Sequence, residues 1–328
     1  MRNTLPGLEY TQQLEMSLAV PMGLSIEASN ASVPGDDMWH ALSSNTLTLP
    51  PMDPYGPKRW IEVYSRGTTD FEYTLNPNCS WIQAHPSSGT ISASNKTDER
   101  IWISVDWDNA PAGSSMAKLN VTIASGNYGN YDVPIVQIPV NKTSVPDSFH
   151  GFVESDGTVS IEPEHASRNT STDEASYAVI PGYGRTLSGV TLLPVDVGTQ
   201  EPPSSPRLEY DMYLFSDVFT ANTTVYLGPS LNTDPSRPLK YAIAFNDGEP
   251  QEVQFVPSTP LGTLPDNWDA TVSNAVWTNT TTQSVHGGGN KNTLKLWAIE
   301  PGVVFQKVVV DLGGVRESYL GPPESMIV

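Results

Sequence analysis

The 328-residue sequence predicts an all-β protein: two consecutive antiparallel β-sandwiches, the first immunoglobulin-like and the second a jelly roll of the galactose-binding type, after a short N-terminal helix. Apolar and polar residues alternate along many short segments, which is the period of a strand with one buried face. The chain also has 25 glycines and 29 prolines, a level typical of many turns. A helical period is nearly absent beyond the N-terminus.

The first segment, residues 1–24, is expected to be the helical tail of a preceding domain that is missing from this chain. Leu8, Leu14 and Leu18 fall roughly along one side of a helix over residues 5–20. One short helix is only marginally stable by itself. The segment has no continuous apolar core near its start, so it does not read as a secretory signal peptide.

The second segment, residues 25–145, is predicted to form the immunoglobulin-like sandwich. Its length of about 100 residues and its closely spaced strands suit that fold. Turn signals such as Pro-Ser-Ser-Gly at 86–89 separate the strands. The order of turn and core residues from Trp81 to Gly113 also resembles the immunoglobulin-like BACON domains of polysaccharide-degrading enzymes. The alternating segments are 60–64, 101–107, 119–123 and 134–140.

The third segment, residues 146–328, is predicted to be the jelly roll, after a linker at 142–147. Around ten strands over about 180 residues suit that fold. Residues 196–206 are rich in proline and serine and are expected to form a long loop. The predicted strands are 157–162, 208–215, 223–227, 239–245, 252–256, 268–277, 294–299 and a closing strand after Pro301–Gly302.

The net charge of −19 limits the partners of the chain. Nucleic acids and anionic membrane surfaces repel an acidic protein, so we expect neither as a partner. The sequence contains no run of 18 apolar residues that could span a membrane. Cys79 is the single cysteine, which excludes an intramolecular disulfide and argues against a cysteine-based metal site.

Eight Asn-X-Ser/Thr sequons indicate a secreted, extracellular glycoprotein. A chain rich in Asn, Ser and Thr produces some sequons by chance, so their position also matters. Asn120 lies in Leu119–Ile123, where the alternation places it on the outward face of a strand. The predicted glycosylation sites are Asn30, Asn78, Asn95, Asn120, Asn141, Asn169, Asn222 and Asn279.

The end of the chain has its most distinctive pattern. Residues 292–314 read as two strands joined at Pro301–Gly302 and closed by Gly-Gly, and an aromatic-proline tail follows at Ser318–Ser325. This pattern resembles the extreme C-terminus of the glycoside hydrolase family 115 α-glucuronidases, which remove (4-O-methyl)glucuronic acid from xylan. A series of further segments resembles that family in the same order, which is more specific than one match: 105–111, 152–165, 184–192, 205–214 and 237–243.

The resemblance implies a non-catalytic C-terminal region of a secreted, xylan-active α-glucuronidase. Its partners would be the catalytic domain of the same enzyme, which lies upstream in the family, and glucuronoxylan; a homodimer is left open. The alternative is a stand-alone hydrolase with its site in a sandwich cleft. The sequence does not identify such a site, because among 36 acidic residues some carboxylate pair can always be drawn.

The segment Ile161–His165 resembles the start of carbohydrate-binding modules of families 6 and 35. In those modules two glutamates near the start and an aspartate in the last strand hold a structural calcium ion. The resemblance implies Glu162, Glu164 and Asp311 as the ligands here, and carboxylates suit Ca²⁺. The alternative is a solvated acidic edge, and Pro163 departs from the family pattern.

Carbohydrate binding needs exposed aromatic rings and nearby polar groups. Tyr183, in the glycine-rich segment Pro181–Arg185, is the first candidate for stacking on a sugar. Arg185 is the first candidate for pairing with a uronate carboxylate. Each aromatic has a core position as its alternative, and each arginine a role as surface charge. The further candidates are Tyr213, Trp268, Trp277, Tyr319 and Arg207.

Overall fold

The computed structural model of the protein describes residues 20–34, 45–128 and 132–328. The helix expected over residues 5–20 lies outside the described residues, apart from Val20. The chain divides into two compact units. The first contains the residues up to Met52 and Lys58–Lys142, and the second contains Asp53–Pro57 and Thr143–Val328.

The first unit is a sandwich of two sheets. In the described residues the sheet orders are β2-β1-β4-β8-β6 and β3-β10-β9-β5-β7, antiparallel except where β3 runs parallel to β10. Every strand predicted in this unit is confirmed. The strands are β1 (Met22–Ile26), β2 (Ser32–Val33), β3 (Thr46–Thr48), β4 (Arg59–Ser65), β5 (Phe71–Pro77), β6 (Ile82–His85), β7 (Ser88–Ile91), β8 (Asp98–Val105), β9 (Gly113–Ile123) and β10 (Ile135–Lys142).

The core of the first unit lies between its two sheets. Alternate residues of each strand are buried, for example Ile61 and Val63 on β4 and Leu119 and Val121 on β9. The intervening residues face solvent, and Asn120 is exposed between two buried neighbours. Burial of these aliphatic side chains is the main stabilising term of such a sandwich, at about 25 cal/mol per Å² of apolar surface.

The second unit is a larger sandwich. In the described residues its sheet orders are β11-β16-β21-β18-β19, with β13 beside β16, and β14-β15-β22-β17-β20, with β12 beside β22. The elements are β11 (Phe152–Val153), β12 (Thr158–Ile161), a 3-10 turn (Pro163–His165), β13 (Arg168–Thr170), β14 (Ser176–Pro181), β15 (Ser188–Leu193), β16 (Arg207–Leu214), β17 (Thr220–Leu227), β18 (Lys240–Phe245), β19 (Gln251–Gln254), α1 (Trp268–Asn274), β20 (Trp277–Ser284), β21 (Asn290–Ala298) and β22 (Val304–Asp311).

The turn at Pro301–Gly302 connects the two sheets of this unit. β21 pairs with β16 and β18, whereas β22 pairs with β12, β15 and β17 in the other sheet. Leu294 and Leu296 on β21 and Phe305 and Val308 on β22 are fully buried in one core between the sheets. The last strand of the chain is therefore central to its sheet.

Two expectations from the sequence were wrong. Trp268–Trp277 does not form a strand: helix α1 occupies Trp268–Asn274 and ends at Ala275 in the left-handed conformation. The rings of Trp268 and Trp277 pack together, with their centroids 6.1 Å apart. Residues 53–57, placed in the first domain by the sequence, belong to the second unit, because Ser155 donates a hydrogen bond to Asp53 at 2.8 Å.

The helical segments within the described residues are all too short or too polar to cross a bilayer.

A charged network covers the outer side of β13, β16 and β21. Arg168 donates to both carboxylate oxygens of Asp211, at 2.7 and 2.9 Å, and its Nε bonds to Glu209. Lys291 lies 3.1 Å from Asp211, and Thr293 donates to it at 2.7 Å. Burial raises the pKa of Asp211, but the hydrogen bonds from Arg168, Thr293 and Lys291 outweigh burial and hold that pKa below its usual range.

Acid should destabilise the second unit through Asp211. A carboxyl group whose pKa is lowered by folding stabilises the folded state above its unfolded pKa of about 3.9, and this contribution is lost as the pH falls toward the lowered value. We expect the melting temperature from calorimetry to fall between about pH 5 and pH 2, and to fall less in Asp211→Asn. The control is Asp266→Asn, at an exposed loop position. Equal pH profiles for wild type and Asp211→Asn would contradict this account.

Candidate functional site

The C-terminal tail of the second unit is bound along β11 and β12. The amide of Ser325 donates to the carbonyl of Ser160 at 2.9 Å, and Ser325 Oγ accepts from the amide of Ser160 at 2.9 Å. Ile327 forms an antiparallel bridge with Phe152. Gly151 and Val328 exchange backbone hydrogen bonds of 3.1 and 3.0 Å. These bonds hold the family-like tail against the first strands of the unit.

Arg185 holds the tail from the side. Its guanidinium carbon lies 4.1 Å from the ring centroid of Tyr319, and Nη2 donates to the Tyr319 carbonyl oxygen. The Arg185 amide donates to Gln306 Oε1 at 3.1 Å, and Gln306 Nε2 donates to Ala275 O at 3.0 Å. Cation–π contacts of this kind contribute about 0.5–1 kcal/mol at exposed sites. The side chain of Arg185 therefore contacts the tail, while its backbone amide contacts Gln306 on β22.

Tyr183 packs closely against two glycines of the second unit. A Cβ added at Gly189 would lie 2.8 Å from its ring, and one added at Gly228 would lie 2.6 Å from its hydroxyl. Val304 lies near both glycines as well. Burial raises the pKa of the Tyr183 hydroxyl, but the residue remains 42% exposed. Glycine at both positions therefore leaves the space that the Tyr183 side chain occupies.

Glu162 forms a buried ion pair with Lys307. The ammonium nitrogen lies 3.4 Å from Glu162 Oε1, and the two side chains are 4% and 5% exposed. Thr186 donates to the same oxygen at 2.5 Å. Glu162 Oε2 has no hydrogen-bond partner within the described part of the chain. A buried carboxylate requires a counter-ion, and Lys307 provides it from the last strand.

Glu164 lies outside this pair. His165 lies between two carboxylates, with Nε2 3.6 Å from Glu164 and Nδ1 2.7 Å from Glu324 of the tail. The hydrogen bond with Glu324 raises the pKa of His165. Glu324 also accepts from the amide of Glu162 at 3.3 Å. Glu164 therefore contacts His165, and both His165 and the amide of Glu162 contact Glu324 of the tail.

The structure does not bring the three predicted calcium ligands together. Ile161 is paired with Val308, whereas Asp311 is paired with Thr158. Asp311 is four residues beyond Lys307 on β22, which corresponds to about 13 Å at about 3.3 Å per residue.

Asp311 instead closes the Gly-Gly turn. Its Oδ1 accepts from the amides of Gly313 and Val315 at 2.8 and 3.3 Å. Within the described residues, no group of three or more histidine, cysteine or acidic side chains is arranged to hold a metal ion. The donor set does not fit calcium, because an ammonium group lies beside Glu162. Calcium binding stays a prediction that this geometry does not favour.

The other sequence candidates serve mainly in packing. Tyr213 packs on Phe149 and Phe215 and donates to Gly289 O at 2.6 Å. Trp277 is 6% exposed, and Arg207 pairs with Glu209 at 2.6 Å. Tyr319 is 66% exposed, but Arg185 lies over its ring.

Sequence reasoning missed Lys307, Gly189, Gly228 and Glu324. The available signal was Gln306–Lys307, two polar residues inside the apolar run 303–310. The glycines carried no such signal, because Tyr183 reaches them only in the folded sheet.

Breaking the buried pair should unfold the second unit more easily. Glu162→Gln leaves the Lys307 ammonium buried beside a neutral group, and such losses cost about 3–5 kcal/mol. The control Glu164→Gln, on a partly exposed carboxylate, should change stability by about 0.5 kcal/mol or less. Urea unfolding of the full chain measures both. Equal effects of the two variants would contradict a buried ion pair.

The family model for the glycosyl hydrolase family 115 C-terminal domain matches residues 151–324. A solved family 115 4-O-methyl-α-glucuronidase with specificity for decorated arabinogalactans is 11% identical, with a TM-score of 0.35 over 52% of this chain and 19% of that chain. The chain thus spans about a fifth of that enzyme.

Two carbohydrate-binding modules are also similar. The C-terminal family 6 module of LamC, a laminarinase from Zobellia galactanivorans, is 12% identical, with a TM-score of 0.30 over 47% of this chain and 98% of that one. A family 35 module from Clostridium thermocellum is 15% identical, with a TM-score of 0.31 over 46% and 97%.

These values are too low to assign a function, and the fold rests on the strand order of the chain itself. No curated protein matches the chain. The match over residues 151–324 covers more than half of the 328 residues. It contains the motifs at 152–165 and 184–192 and all but the last residue of the motif at 318–325. The chain belongs to glycosyl hydrolase family 115, whose C-terminal domain forms most of its second unit.

Proposed function

We propose that this chain is the non-catalytic C-terminal region of a secreted, xylan-active α-glucuronidase, and that its second unit contacts glucuronoxylan through Tyr183. The observation that carries this proposal is the partly exposed Tyr183 side chain packed against Gly189 and Gly228. A side chain held in place by such packing loses little further conformational freedom when a ligand binds.

A sugar ring stacked on Tyr183 would find polar groups beside it. Thr186 is exposed, and Arg185 is two residues from Tyr183. Tyrosine suits such contacts because it combines a large apolar face with a polar hydroxyl. Few, well-placed polar groups around an apolar surface are what orient a bound ligand.

Arg185 supports this surface through the tail. Because it engages Tyr319 and Gln306, it fixes the segment that carries Tyr183. Its Nε has no hydrogen-bond partner in the described part of the molecule. A direct contact between Arg185 and a uronate carboxylate stays a prediction. The catalytic domain of the same enzyme is the proposed protein partner.

The purified chain should bind glucuronoxylan without cleaving it. We expect retardation in native gels that contain glucuronoxylan, and at least tenfold weaker retardation for Tyr183→Ala, because the stacking face is lost (a tenfold change is about 1.4 kcal/mol). Gly189→Ala should weaken binding as well, since the added methyl group displaces the ring. Val179→Ala, at an exposed position on β14, is the matched control.

The same experiment tests the alternative of a stand-alone hydrolase. Chromatography of the reaction mixture should show no free glucuronic acid. Release of uronic acid that is lost on changing one carboxylate would favour the hydrolase. Unchanged retardation of Tyr183→Ala would contradict binding at this ring and leave support of the catalytic domain as the role.

Secretion predicts N-glycans on the chain. Seven of the eight sequon asparagines are exposed, whereas Asn279 is half-buried and accepts a hydrogen bond from Tyr241 at 3.1 Å. Expressed behind a signal peptide in a fungal host, the protein should migrate faster on gels after endoglycosidase treatment. The variant Asn120→Gln should show a smaller shift, because Asn120 faces solvent on β9. Identical migration before and after treatment would contradict glycosylation.

A further inference from the structure

The outer side of the β2-β1-β4-β8-β6 sheet in the first unit carries adjacent aromatic residues. In the strand register Trp60 on β4 is opposite Trp102 on β8, and Tyr64 lies on the same side of β4. Trp102 is 45% exposed, and Trp60 and Tyr64 are half-buried. None of the three belongs to the buried core of this unit. Tryptophan and tyrosine combine an apolar body with a polar group and are enriched at binding surfaces.

The other residues of this sheet face are polar. In the described strands the positions that share the side of Trp60 and Trp102 include Ser25, Glu62 and Gln83, and none of them is aliphatic. Glutamate, aspartate and serine are depleted in protein–protein interfaces, whereas this face carries Glu62 and Ser25. A carbohydrate site instead combines aromatic faces with hydrogen-bonding groups. The composition of this face therefore fits a saccharide.

Two of the charged residues on this face, Arg100 and Glu62, are paired with each other. Arg100 lies 4.1 Å above the ring of Trp60, and its Nη2 is 3.4 Å from Glu62 Oε2. Arg100 thus covers Trp60 and leaves Trp102 as the ring with a free face. The net charge of −19 opposes the approach of a polyanion. The ligand that this face suits is uncharged.

We propose that the outer face of this sheet, centred on Trp102, binds the backbone of a neutral β-1,4-linked polysaccharide. Such backbones are extended ribbons whose sugar rings have apolar faces, and these faces stack on aromatic side chains. Trp102 stacks on one sugar ring, while Arg100, Glu62 and His85, which is opposite Trp102 on β6, offer hydrogen-bonding groups to the hydroxyls. This site lies outside the 151–324 match to the family.

The test uses the full chain and three neutral probes: xylohexaose, cellohexaose and mannohexaose. Titration should change tryptophan fluorescence with at least one of them. Trp102→Ala should weaken that binding at least tenfold, and Trp102→Tyr should retain part of it. Met116→Ala, at an exposed position on β9 in the other sheet, should bind as wild type. The loss caused by Trp102→Ala should persist in a Tyr183→Ala background, which separates this site from the proposed xylan contact.

Three results would overturn the proposal. They are no response to any of the three hexasaccharides, unchanged affinity of a Trp102→Ala protein whose melting temperature matches wild type, or equal loss in Met116→Ala. Light scattering on the same samples distinguishes a second copy as the occupant. A dimer that Trp102→Ala dissociates would assign the face to self-association and would also overturn the saccharide proposal.

Discussion

The central position of β22 is the constraint on which the second unit depends. This strand is paired with β12 and β15 on one side and with β17 on the other, and its inward residues Phe305 and Val308 fill the core. Three other residues of β22 each contact a different part of the candidate site. Val304 lies beside Gly189 and Gly228, against which Tyr183 also packs; Gln306 accepts from the Arg185 amide, and Lys307 pairs with Glu162. Displacing β22 would disturb all three contacts.

The buried pair ties the last strand, β22, to the segment that follows β12. Lys307 brings a positive charge from β22 to Glu162, which directly follows β12. The ammonium group occupies one lone pair of the carboxylate, and Thr186 donates to the same oxygen. An additional cation beside Lys307 would experience like-charge repulsion at short range. The ion pair and a calcium ion are thus competing solutions to the same structural requirement.

Much of the fold could be predicted from the sequence, because half-buried strands show their period directly. β4, β9 and β10 alternate between core and solvent, and this signal is local. Helix α1 was missed because Trp268, Ala270 and Val272 alternate with polar residues, as they would in a strand. Residues 53–57 were assigned to the wrong unit because their contacts with Ser155 and Phe215 link positions about a hundred or more residues apart.

The candidate site was less predictable, since it depends on register and on contacts across the sheet. Tyr183 and Arg185 could be chosen from a glycine-rich segment, but the glycines that support the ring lie on or beside other strands. Asp311 was chosen because it lies in the last strand, yet the register brings Lys307, four residues earlier, to Glu162. Only the pairing of the strands shows that Lys307, rather than Asp311, reaches Glu162, and the sequence alone does not give that pairing.

The arginines of both proposed surfaces already contact other side chains of the protein. Arg185 lies on Tyr319, and Arg100 lies between Trp60 and Glu62. A charged uronate would therefore gain little from either, while it would meet the repulsion of a protein with net charge −19. Recognition by stacking on the uncharged backbone avoids this repulsion, and its strength depends little on ionic strength because screening acts only on charges. The physical properties of the chain thus favour contact with the polysaccharide backbone over contact with its acidic substituents.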